Sequence, residues 1–168
     1  WKQVDEIPKD AKLIGIGLDF GYTNDPTAAI EIYNWNGKRI INELAYKTGM
    51  VNSDIAKVLP NDVPIYADSS EPKSIEEIRR CGKLIKGVTK GKDSINFGIQ
   101  IMQSQEYLVT SNSINLIKEL RSYIWDTDKQ GVRLNKPIDY NNHAIDGLRY
   151  HEMEVLGVNP NYGQYFIH

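Results

Sequence analysis

The sequence predicts a mixed α/β domain, in which an antiparallel three-stranded meander is followed by parallel strands and helices pack on the sheet. An Asn36-Gly37 pair, a strong signal for a tight hairpin, separates two strand-like segments. From residue 50 onward, short apolar runs alternate with segments of helical periodicity. Two apolar runs end on an acid, Asp19 and Asp68. Strands that alternate with helices generally run parallel, so their carboxyl ends share the sheet edge where ligands bind.

The meander occupies the first third of the chain. An apolar run ending at Asp19 indicates a buried strand, and a turn-rich segment from Gly21 to Pro26 follows it. The Asn36-Gly37 turn then joins the second strand to the third. We place these three strands at residues 13–19, 28–35 and 39–46.

The remaining chain predicts alternating helices and strands. Asn52 is a suitable cap for a short helix, Pro72 is suited to the first turn of the next, and Gly82 ends it. A further helix starts at Asp93 or Ser94. A polar segment, residues 123–135, predicts a hairpin or excursion. The other helices are expected at 52–59, from 114 and at about 141–156, and the strands at 63–68, 84–88 and 107–110.

Length and composition predict one domain with its own core. The chain has 168 residues, of which 40% are hydrophobic, and no apolar run approaches the roughly eighteen residues of a membrane span. We expect a linker or tail at residues 1–12, the domain at 13–157 and a second tail at 158–168. The single cysteine, Cys81, excludes an internal disulfide framework, makes a thiolate zinc site unfavourable and suits a reducing cytoplasm.

The net charge of −2 counts mildly against a nucleic-acid binder that relies on phosphate neutralisation alone. A metal-dependent nuclease is a partial exception. Its acidic site holds cations when it acts, so the formal charge understates the positive charge presented to DNA.

Three acids stand out by their positions. Asp19 and Asp68 end predicted strands, and Asp146 lies on the last helix, where His143 shares its face at a spacing of three. If the two strands are neighbours, a helix packed across their edge brings Asp146 to the other two acids. Three converging carboxylates with no paired arginine would repel one another unless a cation lay between them. Oxygen ligands favour hard ions such as Mg²⁺ or Mn²⁺.

Each of these residues also has a plain structural interpretation. Asp19 would be a strand-end acid that caps the next turn, and Asp68 an Asx-turn residue. Asp146 would be an exposed helical acid, and His143 a structural residue at a helix start. We favour ligand roles for Asp19 and Asp68, whereas the residues alone leave Asp146 and His143 open. Asp25 is taken as a turn residue.

Positive side chains near the predicted edge are candidate contacts for DNA phosphates. Lys90 and Lys92 lie in a glycine-bearing loop after a strand, and Lys73 lies on a helix that follows Asp68. A solvated loop and a charged helix face explain them equally well. The segment 125–137 is either a DNA-contacting or regulatory flap or an inert hairpin.

Three motifs carry a resemblance to a known family. Residues 17–28, GLDFGYTNDPTA, resemble the opening of the nuclease domain of phage terminase large subunits. Residues 67–75, ADSSEPKSI, look like that family's second motif, and residues 142–150, NHAIDGLRY, look like its third. Their order and spacing also fit, and the resemblance runs from Ile14 to Tyr150, which is most of the chain.

The resemblance implies a ribonuclease H-like fold and an endonuclease that cuts concatemeric viral DNA before and after packaging. It implies that Asp19, Asp68 and Asp146 hold two divalent ions, Mg²⁺ or Mn²⁺, and that His143 assists. We expect Asp19 to be shared by both ions, which would act in two-metal hydrolysis of phosphodiesters.

The resemblance also implies partners and a location. They are double-stranded DNA, an upstream packaging ATPase domain, a small terminase subunit and a portal, all in the cytoplasm of an infected bacterial host, with no membrane. The phosphate-binding loop of such an ATPase, Gly-x-x-x-x-Gly-Lys-Ser/Thr, does not occur in this sequence.

Three alternatives stay open at the level of sequence. The segment from Gly17 to Asn24 also resembles the phosphate-binding opening of actin and heat-shock ATPases, for which tight ATP binding would be diagnostic. A junction resolvase would share the chemistry but prefer four-way junctions to linear duplex. A non-catalytic module that docks DNA or a motor partner would keep its activity unchanged by Asp19→Asn in every assay.

Overall fold

The computed structural model describes residues 1–157, and the predicted tail at 158–168 lies outside them. The described residues form nine strands and five helices. The strands are β1 Lys2–Val4, β2 Lys12–Asp19, β3 Thr27–Trp35, β4 Lys38–Lys47, β5 Ile65–Ala67, β6 Ile85–Gly87, β7 Tyr107–Thr110, β8 Trp125–Thr127 and β9 Arg133–Pro137. The helices are α1 Asn52–Val58, α2 Pro72–Arg80, α3 Ser94–Gln103, α4 Ile114–Ser122 and α5 His143–Val155.

The main sheet has seven strands in the order β1-β7-β4-β3-β2-β5-β6, and β8 and β9 form a separate hairpin. The predicted meander is present, because β2 pairs antiparallel with β3 and β3 with β4. Strand β5 pairs parallel with β2, so the two strands that precede Asp19 and Asp68 are neighbours, as the sequence argument required. The predicted mixed α/β fold is therefore confirmed.

Helices cover both faces of the sheet, and the alternation of side chains on β2 shows how. Ile16 and Leu18 point into a core shared with α1 and α2. Gly15 and Gly17 face the other way, towards α5. A second core on that side joins strands β3, β4 and β7 to α4 and α5. Asp19 lies two residues after Gly17, so its side chain emerges on the same face of the sheet, towards α5.

One segment differs from its expected structure. Residues 1–12 were expected to be a linker, but Lys2–Val4 forms an edge strand parallel to β7, and Val4 O accepts a hydrogen bond from Ser111 N at 2.8 Å. The sequence carries little sign of this strand, because its pairing depends on backbone groups and its side chains are largely exposed. The domain boundaries themselves remain a prediction.

The start of α1 also differs in detail. Asn52 is its first helical residue and Val51 is the N-cap, so Asn52 is not the cap. The Asp54 carboxylate accepts a hydrogen bond from the Val51 N–H at 3.3 Å and satisfies that group instead. Within the described residues, no helix is long and apolar enough to cross a membrane.

Candidate metal-binding site

Asp19 and Asp68 come from corresponding positions on neighbouring strands. In the register of β2 and β5, Leu18 lies opposite Ala67, and each aspartate is the next residue along its chain. Adjacent strands lie about 4.8 Å apart, and successive side chains alternate between faces. Both carboxylates therefore emerge on the α5 face, at the carboxyl end of a parallel pair.

Helix α5 brings Asp146 to this edge through a direct contact between two backbones. A Cβ built on Gly147 would lie 3.1 Å from Gly17 O and 3.5 Å from Asp19 N. Because neither glycine carries a side chain, the helix lies directly on the strand just before it ends. This contact sets Asp146, one residue before Gly147, beside the end of β2.

Asp19 is the most deeply buried of the three acids, with 8% of its surface exposed. Its Oδ2 lies 3.1 Å from Nδ1 of His143, which Asp19 holds at the start of α5. Burial raises the pKa of Asp19 to about 6, and repulsion from Asp146 and Asp68 adds to this effect, whereas the hydrogen bond from His143 opposes it. The carboxylates are thus close enough to disfavour one another's charge.

Asp146 has a cationic partner that the sequence argument did not anticipate. Arg149, three residues further along α5, donates from Nη2 to Asp146 Oδ1 at 2.9 Å, and Asn142 donates to Oδ2 at 3.3 Å. The assumption that the three acids have no paired arginine was therefore wrong. Burial nevertheless raises the pKa of Asp146, although the charge of Arg149 opposes the rise. Gly98 on α3 leaves room for the Arg149 side chain.

Asp68 is held by three donors. Its Oδ1 accepts from Lys90 Nζ at 2.5 Å and from Ser70 N at 2.9 Å, and its Oδ2 accepts from the Tyr150 hydroxyl at 3.4 Å. Burial alone would raise the pKa of Asp68, but the hydrogen bonds from Lys90 and Ser70 outweigh it and lower that pKa. The Asx turn at Ser70 agrees with the plain interpretation of Asp68, and it is compatible with a ligand role.

The three acids share an edge but do not form a closed cage. Within residues 1–157, no three His, Cys, Asp or Glu side chains are grouped closely enough to hold one ion. Each carboxylate instead contacts its own partner, namely His143, Lys90 or Arg149. The donor set still suits a hard cation, because it consists of carboxylate oxygens, and the charges of Asp146 and Asp68 add to the effect of burial in raising the pKa of Asp19.

His143 lies between two carboxylates. Its Nε2 is 3.6 Å from Oδ1 of Asp25, an exposed residue of the loop after β2, while its Nδ1 faces Asp19. The hydrogen bond to Asp19 raises the pKa of His143, which burial opposes. A polar cleft of about 760 Å³ adjoins His143 and Asp25, with Lys47, Lys118 and Tyr140 on its walls.

Glu119 is a positioning residue that sequence reasoning missed. It is buried on α4, where its Oε2 accepts from Ile145 N at 3.0 Å and its Oε1 accepts from the Tyr46 hydroxyl at 2.8 Å. It therefore satisfies a free N–H in the first turn of α5 and ties that helix to β4. The only sequence signal was an acid next to the apolar positions Leu116, Ile117 and Leu120, which does not reveal a partner 26 residues away.

The candidate phosphate contacts fall into two groups. Lys90 lies at the site on Asp68, whereas Lys73 and Lys92 are exposed and make no hydrogen bond or ion pair with any described residue. The segment 125–137 forms the β8–β9 hairpin, in which the Arg133 guanidinium lies 4.9 Å from the centroid of the Trp125 ring.

Comparison with solved structures gives the fold a precedent. The nuclease domain of g2p, the large terminase of bacteriophage SPP1, solved with bound Mn, superposes with a TM-score of 0.78 at 27% identity, covering 91% of this chain and 94% of that one. The large terminase of the thermophilic bacteriophage D6E matches with a TM-score of 0.73 at 22% identity, covering 92% of this chain and 43% of that one.

Sequence comparison identifies relatives of the same kind as the structural comparison. The large subunit of the terminase of Bacillus phage SPP1 is 33% identical over 144 residues, which cover 80% of this chain and 34% of that protein. The chain thus spans about a third of the length of this relative. Residues 19–151, which include all three motifs except Gly17 and Leu18, match the family described as "Terminase RNAseH like domain". The chain therefore belongs to the family of ribonuclease H-like terminase domains.

Proposed function

We propose that this domain is a metal-dependent endonuclease that hydrolyses phosphodiester bonds of duplex DNA, with Asp19, Asp68 and Asp146 as ligands for two Mg²⁺ or Mn²⁺ ions. The observation that carries the proposal is the arrangement of three acids at one sheet edge, with Asp19 buried and its pKa raised to about 6. The SPP1 nuclease domain, similar over 91% of this chain, binds Mn. That likeness supports the same class of ion here.

Two divalent ions would activate a water molecule and stabilise the leaving oxygen of the cleaved phosphodiester. The chain supplies the anionic oxygens and their orientation. His143 orients Asp19, Arg149 orients Asp146, and the Ser70 backbone orients Asp68. Such neighbours fix ligand rotamers and account for a large share of the performance of a metal site.

The same relatives support a proposal for the role of the whole protein. We propose that the domain cuts concatemeric viral DNA in the cytoplasm of an infected bacterium, as part of a large terminase whose other region is the packaging ATPase. The small terminase subunit and the portal are the further partners of that assembly. The sequence contains no motif that resembles a base-reading helix, so we expect weak sequence preference.

Plasmid cleavage tests the proposal. Supercoiled plasmid is incubated with wild type or Asp68→Asn in Mn²⁺, Mg²⁺ or EDTA, and nicked and linear products are measured. Asp62→Asn is the matched control, because Asp62 is exposed and has a φ of 59°, which asparagine also tolerates. We expect wild type and Asp62→Asn to cut with metal, and Asp68→Asn or EDTA to reduce cutting to background.

Three outcomes would contradict the proposal. Undiminished cutting by Asp68→Asn would remove that residue from the site. Intact plasmid with wild type in both metals, together with no Mn²⁺ binding by calorimetry, would show that the acids are structural. Faster cutting of four-way junctions than of linear duplex would assign a branched substrate instead.

A further inference from the structure

Lys90 occupies the position at Asp68 where the proposed site would hold a metal ion. Its ammonium contacts Asp68 Oδ1 and lies 5.4 Å from the centroid of the Tyr150 ring, while the Tyr150 hydroxyl contacts Asp68 Oδ2. Both oxygens of Asp68 are therefore engaged. A metal ion that takes Asp68 Oδ1 as a ligand would approach the same oxygen as the Lys90 ammonium.

The donors to Asp68 differ in how easily they can leave. The Ser70 N–H belongs to the turn that follows β5, and Tyr150 is only 3% exposed. The Lys90 side chain is 36% exposed, and its four-carbon stem is flexible. Lys90 is thus the donor that can be released without a change in the fold.

The base of the loop around Lys90 is anchored on its β6 side. Val88 N donates to Ala67 O at 2.9 Å, and Thr89 N donates to Glu154 Oε1 at 2.7 Å. These contacts hold the base of the loop against β5 and α5. Lys90 follows immediately, so its ammonium can leave Asp68 while the backbone stays in place.

Arg149 gives a useful contrast. It also pairs with a candidate ligand, Asp146, but its side chain is 4% exposed and packs against Gly98 and Met153. It has no room to move away, so it is a permanent counter-charge. Of these two cations, Lys90 alone combines contact with a candidate ligand, exposure and a flexible stem.

We propose that Lys90 is a displaceable counter-cation, which holds Asp68 while the site lacks metal and moves to a DNA phosphate when a divalent ion binds Asp68. The inference rests on the proposed metal site. An ammonium and a divalent ion on the same carboxylate repel each other, so metal binding expels Lys90. The backbone phosphates of a DNA strand entering the site are then the nearest anions for it.

Metal affinity is the first test. Calorimetric titration of Mn²⁺ into wild type, Lys90→Met and Lys92→Met separates a specific contact from the general effect of removing a positive charge. Lys92 is the matched control, since it is exposed in the same loop. We expect Lys90→Met to bind Mn²⁺ roughly three- to fivefold more tightly, which corresponds to one partly exposed ion pair. Lys92→Met should stay within about twofold of wild type.

Equal Mn²⁺ affinity in all three proteins would overturn the role of Lys90 and leave the proposed function intact. No Mn²⁺ binding by wild type would overturn the metal site and this inference with it. Melting temperatures in EDTA check that each variant is folded, and Lys90→Gln provides a second variant that retains polarity.

DNA affinity is the second test. Binding of a short duplex is measured across a salt series, in EDTA and in Ca²⁺, an ion that also takes carboxylate ligands. In Ca²⁺, Lys90→Met should lower the slope of log affinity against log salt by about 0.9, the value for one phosphate contact, and in EDTA it should leave the slope unchanged. An equal loss of slope in both conditions would show that Lys90 contacts DNA whether or not Asp68 holds a metal, and would overturn the exchange.

Discussion

Gly17 on β2 and Gly147 on α5 contact each other backbone to backbone. A Cβ built on Gly17 would lie 1.9 Å from the carbonyl oxygen of Gly147 and 2.4 Å from its carbonyl carbon. No rotamer relieves that overlap, because the backbone of residue 17 fixes the position of its Cβ and the atoms that it meets are also backbone. The separation of strand and helix at this point therefore sets the separation of Asp19 and Asp146.

Gly17→Ala should displace α5 and weaken both fold and activity. Overpacking against a rigid backbone costs about 1–3 kcal/mol or more, and urea unfolding in EDTA measures it. Gly37→Ala is the comparison, since its Cβ meets nothing within 4 Å and its cost comes only from a φ of 76°, about 1 kcal/mol. Metal affinity should fall in Gly17→Ala alone. A Gly17→Ala protein with wild-type stability and Mn²⁺ affinity would refute this account of the contact.

Asp19→Asn should stabilise the metal-free protein at alkaline pH. The pKa of Asp19 is raised from 3.8 to about 6 in the folded state. The contribution of Asp19 to the free energy of unfolding is therefore most favourable below pH 3.8, where the group is protonated in both states. The protein loses about 3 kcal/mol of stability as the pH rises through 6 and Asp19 ionises. Asparagine removes that cost. Urea unfolding in EDTA should show the variant more stable than wild type at pH 8 and similar at pH 4. An equal difference in stability between variant and wild type at both pH values would show that ionisation of Asp19 is not the cause.

Arg149→Met should be strongly destabilising because it leaves the largely buried carboxylate of Asp146 without its counter-charge. Breaking such a pair costs about 3–5 kcal/mol, and methionine retains most of the packing volume. In the Asp146→Asn background the same change should cost much less. A double-mutant cycle from urea unfolding at pH 7.5 measures the difference, and additive effects would show that the Asp146 contact is energetically unimportant.

His143→Ala should slow plasmid cleavage about 10–100-fold, the usual effect of losing a neighbour that orients a metal ligand. His143→Asn should retain more activity, because its Nδ2 can donate to Asp19 in place of the Nδ1–H group. Initial rates in Mn²⁺ at saturating DNA give the comparison. If both variants lose activity equally, His143 acts through its ring and not through this hydrogen bond.

The strand-end positions of Asp19 and Asp68 were predictable because apolar runs mark buried strands and parallel strands end at a common edge. The prediction that Asp146 lies at this site depended on motif resemblance, since helical periodicity alone does not show which way its side chain faces. Glu119 and the Lys90–Asp68 pair were not predictable. Their contacts join residues 26 and 22 positions apart whose types are common on helix surfaces and in loops.

The contact between His143 and Asp19 closes a span of 124 positions along the chain. Translation proceeds from the amino end, so the strand that carries Asp19 leaves the ribosome long before the helix that completes the site. Until that helix docks, a nascent chain has two of the acids and lacks the third. Under the proposed function, a ribosome-bound or prematurely truncated chain would leave the DNA around it intact, and the capacity to cut would arise only with the completed fold.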